Sequence, residues 1–308
     1  MNANTGKRLP EEAIEKARKF CVDEYFDYNV YKYLAGREGN PRLREILETL
    51  AREEYEHYLF WKKVLRGDCK ASLPGWKLRL ILLARKVFGL TFTLKLLEMH
   101  EDEVIAEYKA YMKHLEGSDR EELERIIADE EKHENELISG INEAIVRYLS
   151  FIALGIADAI VEITGVHAGF LGATRVTEVA GIAGLIVGVS AAFSMAGAAY
   201  LQAKAEAVVA SERSPGKSAL VTGLSYLGSV VILALPYFLT KSMATAFTVS
   251  LLMAIAIVSS FTFYNAVLNE ADFKRELAEN LSILFGTAII AFLFGEVIGS
   301  VFHISTII

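Results

Sequence analysis

Five segments in the second half of the chain, about Leu149–Leu171, Val179–Leu201, Ser218–Thr240, Ser242–Asn269 and Asn280–Ile304, are long and apolar enough to cross a bilayer. A hydrocarbon core of roughly 30 Å takes ~20 apolar residues in a helix. The second, third and fourth segments contain no charged residue at all. Core helices of a water-soluble protein would need polar faces that these segments lack. Of the 32 basic and 39 acidic residues, only 17 lie from Leu149 onward. The sequence therefore predicts an all-α chain in two solvents, with residues 1–147 in water and 148–308 in lipid.

Charge and cysteine usage narrow the function classes. A net charge of -7 without an extended basic run gives no reason to expect a nucleic-acid partner. Cys21 and Cys69 stand without a Cys-x-x-Cys pair, which argues against a disulfide scaffold or a thiolate metal site and fits a reducing face. The polar start, MNANTGKRLPEE, does not read as a signal peptide. Short-loop positive charge predicts orientation. Arg147, Lys204, Arg213, Lys217, Lys274 and Arg275 lie on the side of the N-terminal unit, and only Arg175 and Lys241 lie opposite. The expected topology is N-terminus cytoplasmic, five spans, C-terminus outside.

Charges inside spans are costly and mark function. Asp158 and Glu162 sit four residues apart in the first span, on one helix face. Met195, near Ser194 and Tyr200, offers a thioether in the second span, and Glu296 lies in the fifth. Two carboxylates with a soft sulfur suit a borderline divalent ion such as Fe²⁺ or Mn²⁺. Carboxylates in low dielectric also take up protons, so one site could exchange metal for protons. Gly165-x-x-x-Gly169, Gly184-x-x-x-Gly188 and Gly295-x-x-x-Gly299 predict close helix packing in lipid.

The stretches GIADAIVEITGVHAGFLG and AAFSMAGAAYLQAKAE resemble paired signatures of the vacuolar iron transporter family. The resemblance covers about residues 147–308. It implies a homodimeric five-span Fe²⁺/Mn²⁺–proton antiporter with Asp158 and Met195 on the transport path, Glu162 matching less closely. The family's usual Asp-Gly stands here as Asp158-Ala159. Eukaryotic members carry a glutamate-rich helical domain between spans two and three, and the connection here, roughly Gln202 to Lys217, is too short to hold one.

The N-terminal half reads as four helices: about Pro10–Gly36, Pro41–Arg66, Thr91–Glu116, and one from Ser118 that could continue into the first span. Glu54-x-x-His57 and Glu130-x-x-His133 place carboxylate and imidazole on one helix face. The two halves share a frame. Glu24 precedes Tyr31 by seven and Glu54 by 30; Glu101 precedes Tyr108 by seven and Glu130 by 29. A duplicated helix pair explains that repetition, and a solvated charged face does not. The pattern resembles the rubrerythrin branch of the ferritin-like superfamily over roughly residues 10–147. That resemblance implies a four-helix bundle whose di-iron site is held by Glu24, Glu54, His57, Glu101, Glu130 and His133, with Glu98 as an alternative or added ligand. The Cys-rich rubredoxin module of full rubrerythrins is missing, which weakens a peroxidase reading. His100, His114, His167 and His303 have no partner at ligand spacing and are expected to be surface or packing residues.

Between the two helix pairs runs GWKLRLILLARKVFGLTFTLK, which mixes Lys77, Arg79, Arg85, Lys86 and Lys95 with Trp76, Leu78, Leu80, Ile81, Leu83, Val87 and Phe88. It is too short and too basic to span. It could lie among lipid headgroups, cap the bundle, or pack on a second copy of the chain. The expectation for the whole chain is a divalent-metal exporter with a cytoplasmic di-iron domain. The alternatives are a membrane-anchored di-iron oxidase or peroxidase, and a metal-sensing or storage module without transport.

Overall fold

The computed structural model describes residues 9–69, 74–99, 101–132, 147–174, 176–206 and 213–303, with backbone only for Glu98 and Lys132. Among these residues the chain is all-helical. It divides into two compact units, Met1–Glu143 and Ala144–Ile308.

The first unit holds α1 (Glu11–Ala35), α2 (Pro41–Leu65), α3 (Gly75–Phe88), α4 (Leu90–Glu98), α5 (Glu101–Tyr111) and α6 (Ser118–Lys132). Pro41 at the first turn of α2 sacrifices an N–H that has no helical partner, and the Asn40 side chain accepts from Arg42 N. The predicted third helix is described in two stretches, α4 ending at Glu98 with Met99 as its C-cap and α5 beginning at Glu101, with His100 between them outside the described residues. The three acids Glu101, Asp102 and Glu103 favour an N-terminus there, because the helix dipole is positive at that end. The expected continuation of α6 towards the first span falls outside the described residues.

Among the described residues, two apolar cores fill this unit. One gathers Phe20, Phe60, Trp61, Tyr108, Tyr111, Leu123 and Ile126, and the other Val30, Tyr31, Leu34, Leu47, Leu50, Leu90 and Leu94. On α1 and α2 the first core lies toward one end and the second toward the other, and Glu24 and Glu54 fall between them in sequence. The expectation that the cysteines are unpaired is overturned: Cys21 of α1 and Cys69 beyond α2 form a disulfide, with Cα atoms 6.1 Å apart. Arg66 ends α2 in the left-handed region at φ 52°, and the chain beyond it returns to α1. A separation of 48 residues gives no sequence signal of such a meeting.

The second unit contains α7 (Leu149–Ala173), α8 (Thr177–Glu206), α9 (Pro215–Leu239), α10 (Met243–Asn269) and α11 (Phe273–Val301), each long and apolar enough to cross a membrane, with mean hydropathy of 1.8 to 2.2. Large apolar side chains cover the outside, including Leu239 at 75% exposure, Phe193 at 74% and Ile290 at 70%. Water would not tolerate that surface and lipid would. These features fit an integral membrane protein. The glycine motifs are used within one chain: a Cβ on Gly295 would strike the carbonyl of Gly169, and one on Gly299 would lie 2.8 Å from that of Ala173. Gly184 leaves room for the ring of His167, which is fully buried and stacks on Tyr237 at 4.0 Å. The ring of His167 is thus buried between Gly184 and Tyr237. Thr222 Oγ1 donates to Phe151 O at 3.1 Å and Ser250 Oγ to Leu233 O at 2.8 Å, polar links that need no charge.

Candidate metal-binding sites

In the first unit, α1, α2 and α6 bring Glu24, Glu54, His57 and Glu130 together, with one ligand atom from each within 4.8 Å of all the others. The i,i+3 spacing puts Glu54 and His57 on one face of α2. His57 Nδ1 is the central atom: it lies 2.9 Å from Glu130 Oε1, 3.6 Å from Glu24 Oε2 and 3.7 Å from Glu54 Oε2. All four residues are buried. Burial pushes the Glu54 carboxyl well above its ordinary value of 4.5, and the Glu130 and Glu24 carboxylates push it further. Burial would lower the His57 imidazole, but the Glu130 carboxylate and contacts with Glu130, Glu24 and Glu54 outweigh it and hold His57 well above 6.5.

Three carboxylates and an imidazole in so small a buried volume cannot all be stripped of protons without a large charge penalty. A divalent cation removes that penalty and satisfies the oxygens and Nδ1 together. The donor set, oxygen with one nitrogen, suits Fe²⁺, Mn²⁺ or Zn²⁺. This group could therefore hold a metal ion.

Two partners were not read from the sequence. Tyr108 Oη donates to Glu24 Oε1, and Trp61 Nε1 donates to Tyr108 Oη at 3.3 Å. Tyr108 belongs to the second half of the repeated frame, so the tyrosine of one half orients the glutamate of the other. The regular Glu-to-Tyr spacing was the available signal. Of the other expected ligands, Glu101 is buried on α5 but does not join the close group, Glu98 has no described side chain, and His133 lies outside the described residues.

In the second unit, Asp158 lines a cavity of about 740 Å³ with Ser150, Thr262, Asn265, Glu276, Glu279 and Asn280 among its polar walls. The cavity lies among α7, α10 and the start of α11. Glu276 accepts from Asn265 Nδ2 at 3.2 Å, and Asn280 Nδ2 donates to Thr262 Oγ1 at 3.0 Å. Glu162, one turn from Asp158, accepts a hydrogen bond from Tyr226 Oη of α9. Met195 packs against the core formed by Ala159, Ile160, Ile163, Ala192 and Tyr226. The sequence reading passed over Tyr226, Glu276 and Glu279: a tyrosine in an apolar helix and two acids near a loop carry no ligand spacing. The chain matches no protein-family model, no curated protein and no solved structure.

Proposed function

We propose that the chain exports a divalent metal, Fe²⁺ or Mn²⁺, from the cytoplasm in exchange for protons, and that its N-terminal unit is a ferritin-like di-iron domain. The observation that carries this reading is a cavity that brings the carboxylates of Asp158, Glu276 and Glu279 to one largely apolar space inside a unit of five long apolar helices. A charge at mid-membrane costs about 2.5–3.5 kcal/mol on insertion scales, and a structural anchor has no use for it. The sequence resemblance to the vacuolar iron transporter family supports the same reading, and with it a homodimer.

In this scheme the ion is substrate. It enters past Glu276 and Glu279, is bound by Asp158 and Glu162 with Met195 nearby, and leaves as protons replace it on the carboxylates. Tyr226 orients Glu162 and supplies a neutral donor when the metal is absent. In the N-terminal unit, Glu24, Glu54, Glu130 and His57 Nδ1 would hold iron, with Glu101, Glu98 and His133 as the proposed remaining ligands. Iron held there would be retained by the N-terminal unit. A membrane-anchored oxidase would use that cluster alone and leave Asp158, Glu162 and the cavity without a role.

Flux tests the proposal directly. Purified chain in proteoliposomes with an imposed pH gradient should move Fe²⁺ or Mn²⁺ faster than protein-free vesicles, with counterflow of protons. Folded protein that moves none of Fe²⁺, Mn²⁺ or Zn²⁺ under any gradient would overturn it.

A further inference from the structure

Helix α3 carries a surface that the transport reading does not use. Its inner face is fixed: Leu78, Ile81 and Leu82 pack against the core around Leu34, Leu47 and Leu94, and Arg85 is ion-paired with Glu38. The outer face is therefore held outward by packing on the opposite side. It presents Trp76 at 62% exposure, Leu80 at 56%, Leu83 at 56% and Val87 at 57%. At 3.6 residues per turn these four fall within about 60° of the helix circumference, one continuous apolar stripe along three turns. Lys77 flanks the stripe on one side, and Arg79 and Lys86 flank it on the other; all three are exposed. The helix holds four basic residues and no acid, in a chain of net charge -7.

We propose that this face of α3 binds a bilayer surface bearing anionic lipid headgroups, with Trp76, Leu80, Leu83 and Val87 entering the boundary between headgroups and acyl chains. An apolar stripe bordered by lysine and arginine matches that boundary in both polarity and charge, because the long basic side chains can bury their stems and keep their charges among the phosphates. The occupant is also at hand. Sixteen residues join α6 to the first apolar helix of the same chain, a tether that reaches at most roughly 55 Å. A water-facing stripe of this kind would instead be a lasting exposed patch of large apolar residues. The inference stands whether or not the chain transports metal.

The chain has two tryptophans, Trp61 at 0% exposure in the first core and Trp76 on the stripe. Full-length wild type and the surface variant Trp76→Phe are reconstituted into nanodiscs of phosphatidylcholine and phosphatidylglycerol whose acyl chains are brominated near the headgroup. The difference between the two emission signals reports Trp76 alone. It should lose at least half its intensity relative to unbrominated discs, and Lys77→Glu with Lys86→Glu should restore most of it. Trp76 emission that bromine leaves unchanged overturns the proposal. So does efficient cross-linking of two copies through Leu83→Cys with Trp76 unquenched, which would assign the stripe to a second copy of the chain. Equal quenching in discs lacking phosphatidylglycerol, unaffected by the charge reversals, would overturn the anionic-headgroup assignment.

Discussion

Glu24, Glu54 and Glu130 lie 4–6% exposed in a unit with two apolar cores, whereas Asp158 lies half-buried on the wall of a cavity of about 740 Å³. The first arrangement would close an ion in; the second would leave it a way to move. Transport demands binding strong enough to admit an ion and weak enough to release it. A few half-buried carboxylates beside open space meet that demand better than three buried ones around an imidazole. On the proposed function, similar ligands would serve retention in one unit and passage in the other, and the difference would lie in their surroundings.

Asp158→Ala is the strongest way to break that comparison. It should cut metal flux in proteoliposomes by on the order of 100-fold, two decades at ~1.4 kcal/mol each, and leave metal bound to the N-terminal unit unchanged. Flux near the wild-type rate would remove Asp158 from the path. The complementary variant, His57→Ala with Glu130→Gln, should lower the affinity of the retained metal by at least ~10- to 100-fold, read by metal analysis in an Asp158→Ala background. Metal content equal to that of the parent would dissolve the cluster assignment.

Without metal, the same cluster should impose a pH slope on stability. Glu54 and His57 both hold protons more tightly in the folded unit than their ordinary values of 4.5 and 6.5. The folded state therefore binds more protons than the unfolded one, and stability falls as pH rises. The contribution is complete below pH 4.5 for Glu54 and below 6.5 for His57, and it disappears as pH passes their raised values. Melting of the chelated protein, followed through Trp61 in the Trp76→Phe variant, should move to lower temperature from pH 5 to pH 8. Saturating Mn²⁺ should flatten that trend, because the metal takes the place of the protons. A melt that rises with pH in chelator would contradict the burial described for Glu54.

The disulfide separates the units in another way. Closing a loop of 48 residues removes unfolded-state entropy worth about 4 kcal/mol. Cys21→Ser with Cys69→Ser should lower the stability of the N-terminal unit by up to that amount and leave the membrane unit untouched. Unaltered melting in both would mean that the bond does not form in solution. The pair also bears on orientation. From short-loop charge we expect this unit on the cytoplasmic face, where disulfides are rare. Cysteines trapped as free thiols from acid-quenched cells would agree with that assignment, and a bonded pair would weigh against it.

Much of the architecture was legible because lipid imposes a demand that one residue after another must obey. Each apolar segment became a helix, and Asp158 and Glu162 stood out against it. Glu54 and His57 were legible because their ligand spacing is also a helix spacing. What was not legible depended on contacts between distant elements. Tyr108 bonds to Glu24 across 84 positions, Tyr226 to Glu162 across 64, and Cys21 to Cys69 across 48. Tyr226–Glu162 and Cys21–Cys69 have no local period to betray them, and for Tyr108 the repeated frame marked the residue but not its partner.

Glu276 and Glu279 test how open the membrane site is, and their effect should be the smallest. Both line the same cavity as Asp158, but each already has a partner: Glu276 accepts from Asn265, and Glu279 is ion-paired with Arg275 at 3.0 Å. The Glu279 side chain is 61% exposed, so water and salt screen much of its charge. They can raise the local concentration of a cation without binding it tightly. Glu276→Gln with Glu279→Gln should therefore raise the KM for transport roughly 2- to 5-fold, the scale of one or two exposed charges, and leave the maximal rate nearly unchanged. The effect should fade between 0.01 and 0.5 M salt as the screening length contracts from about 30 Å to below 10 Å. A loss of maximal rate that salt does not alter would show that these acids bind the ion in transit, and the cavity would then belong to the closed class of site, as the buried cluster around His57 does.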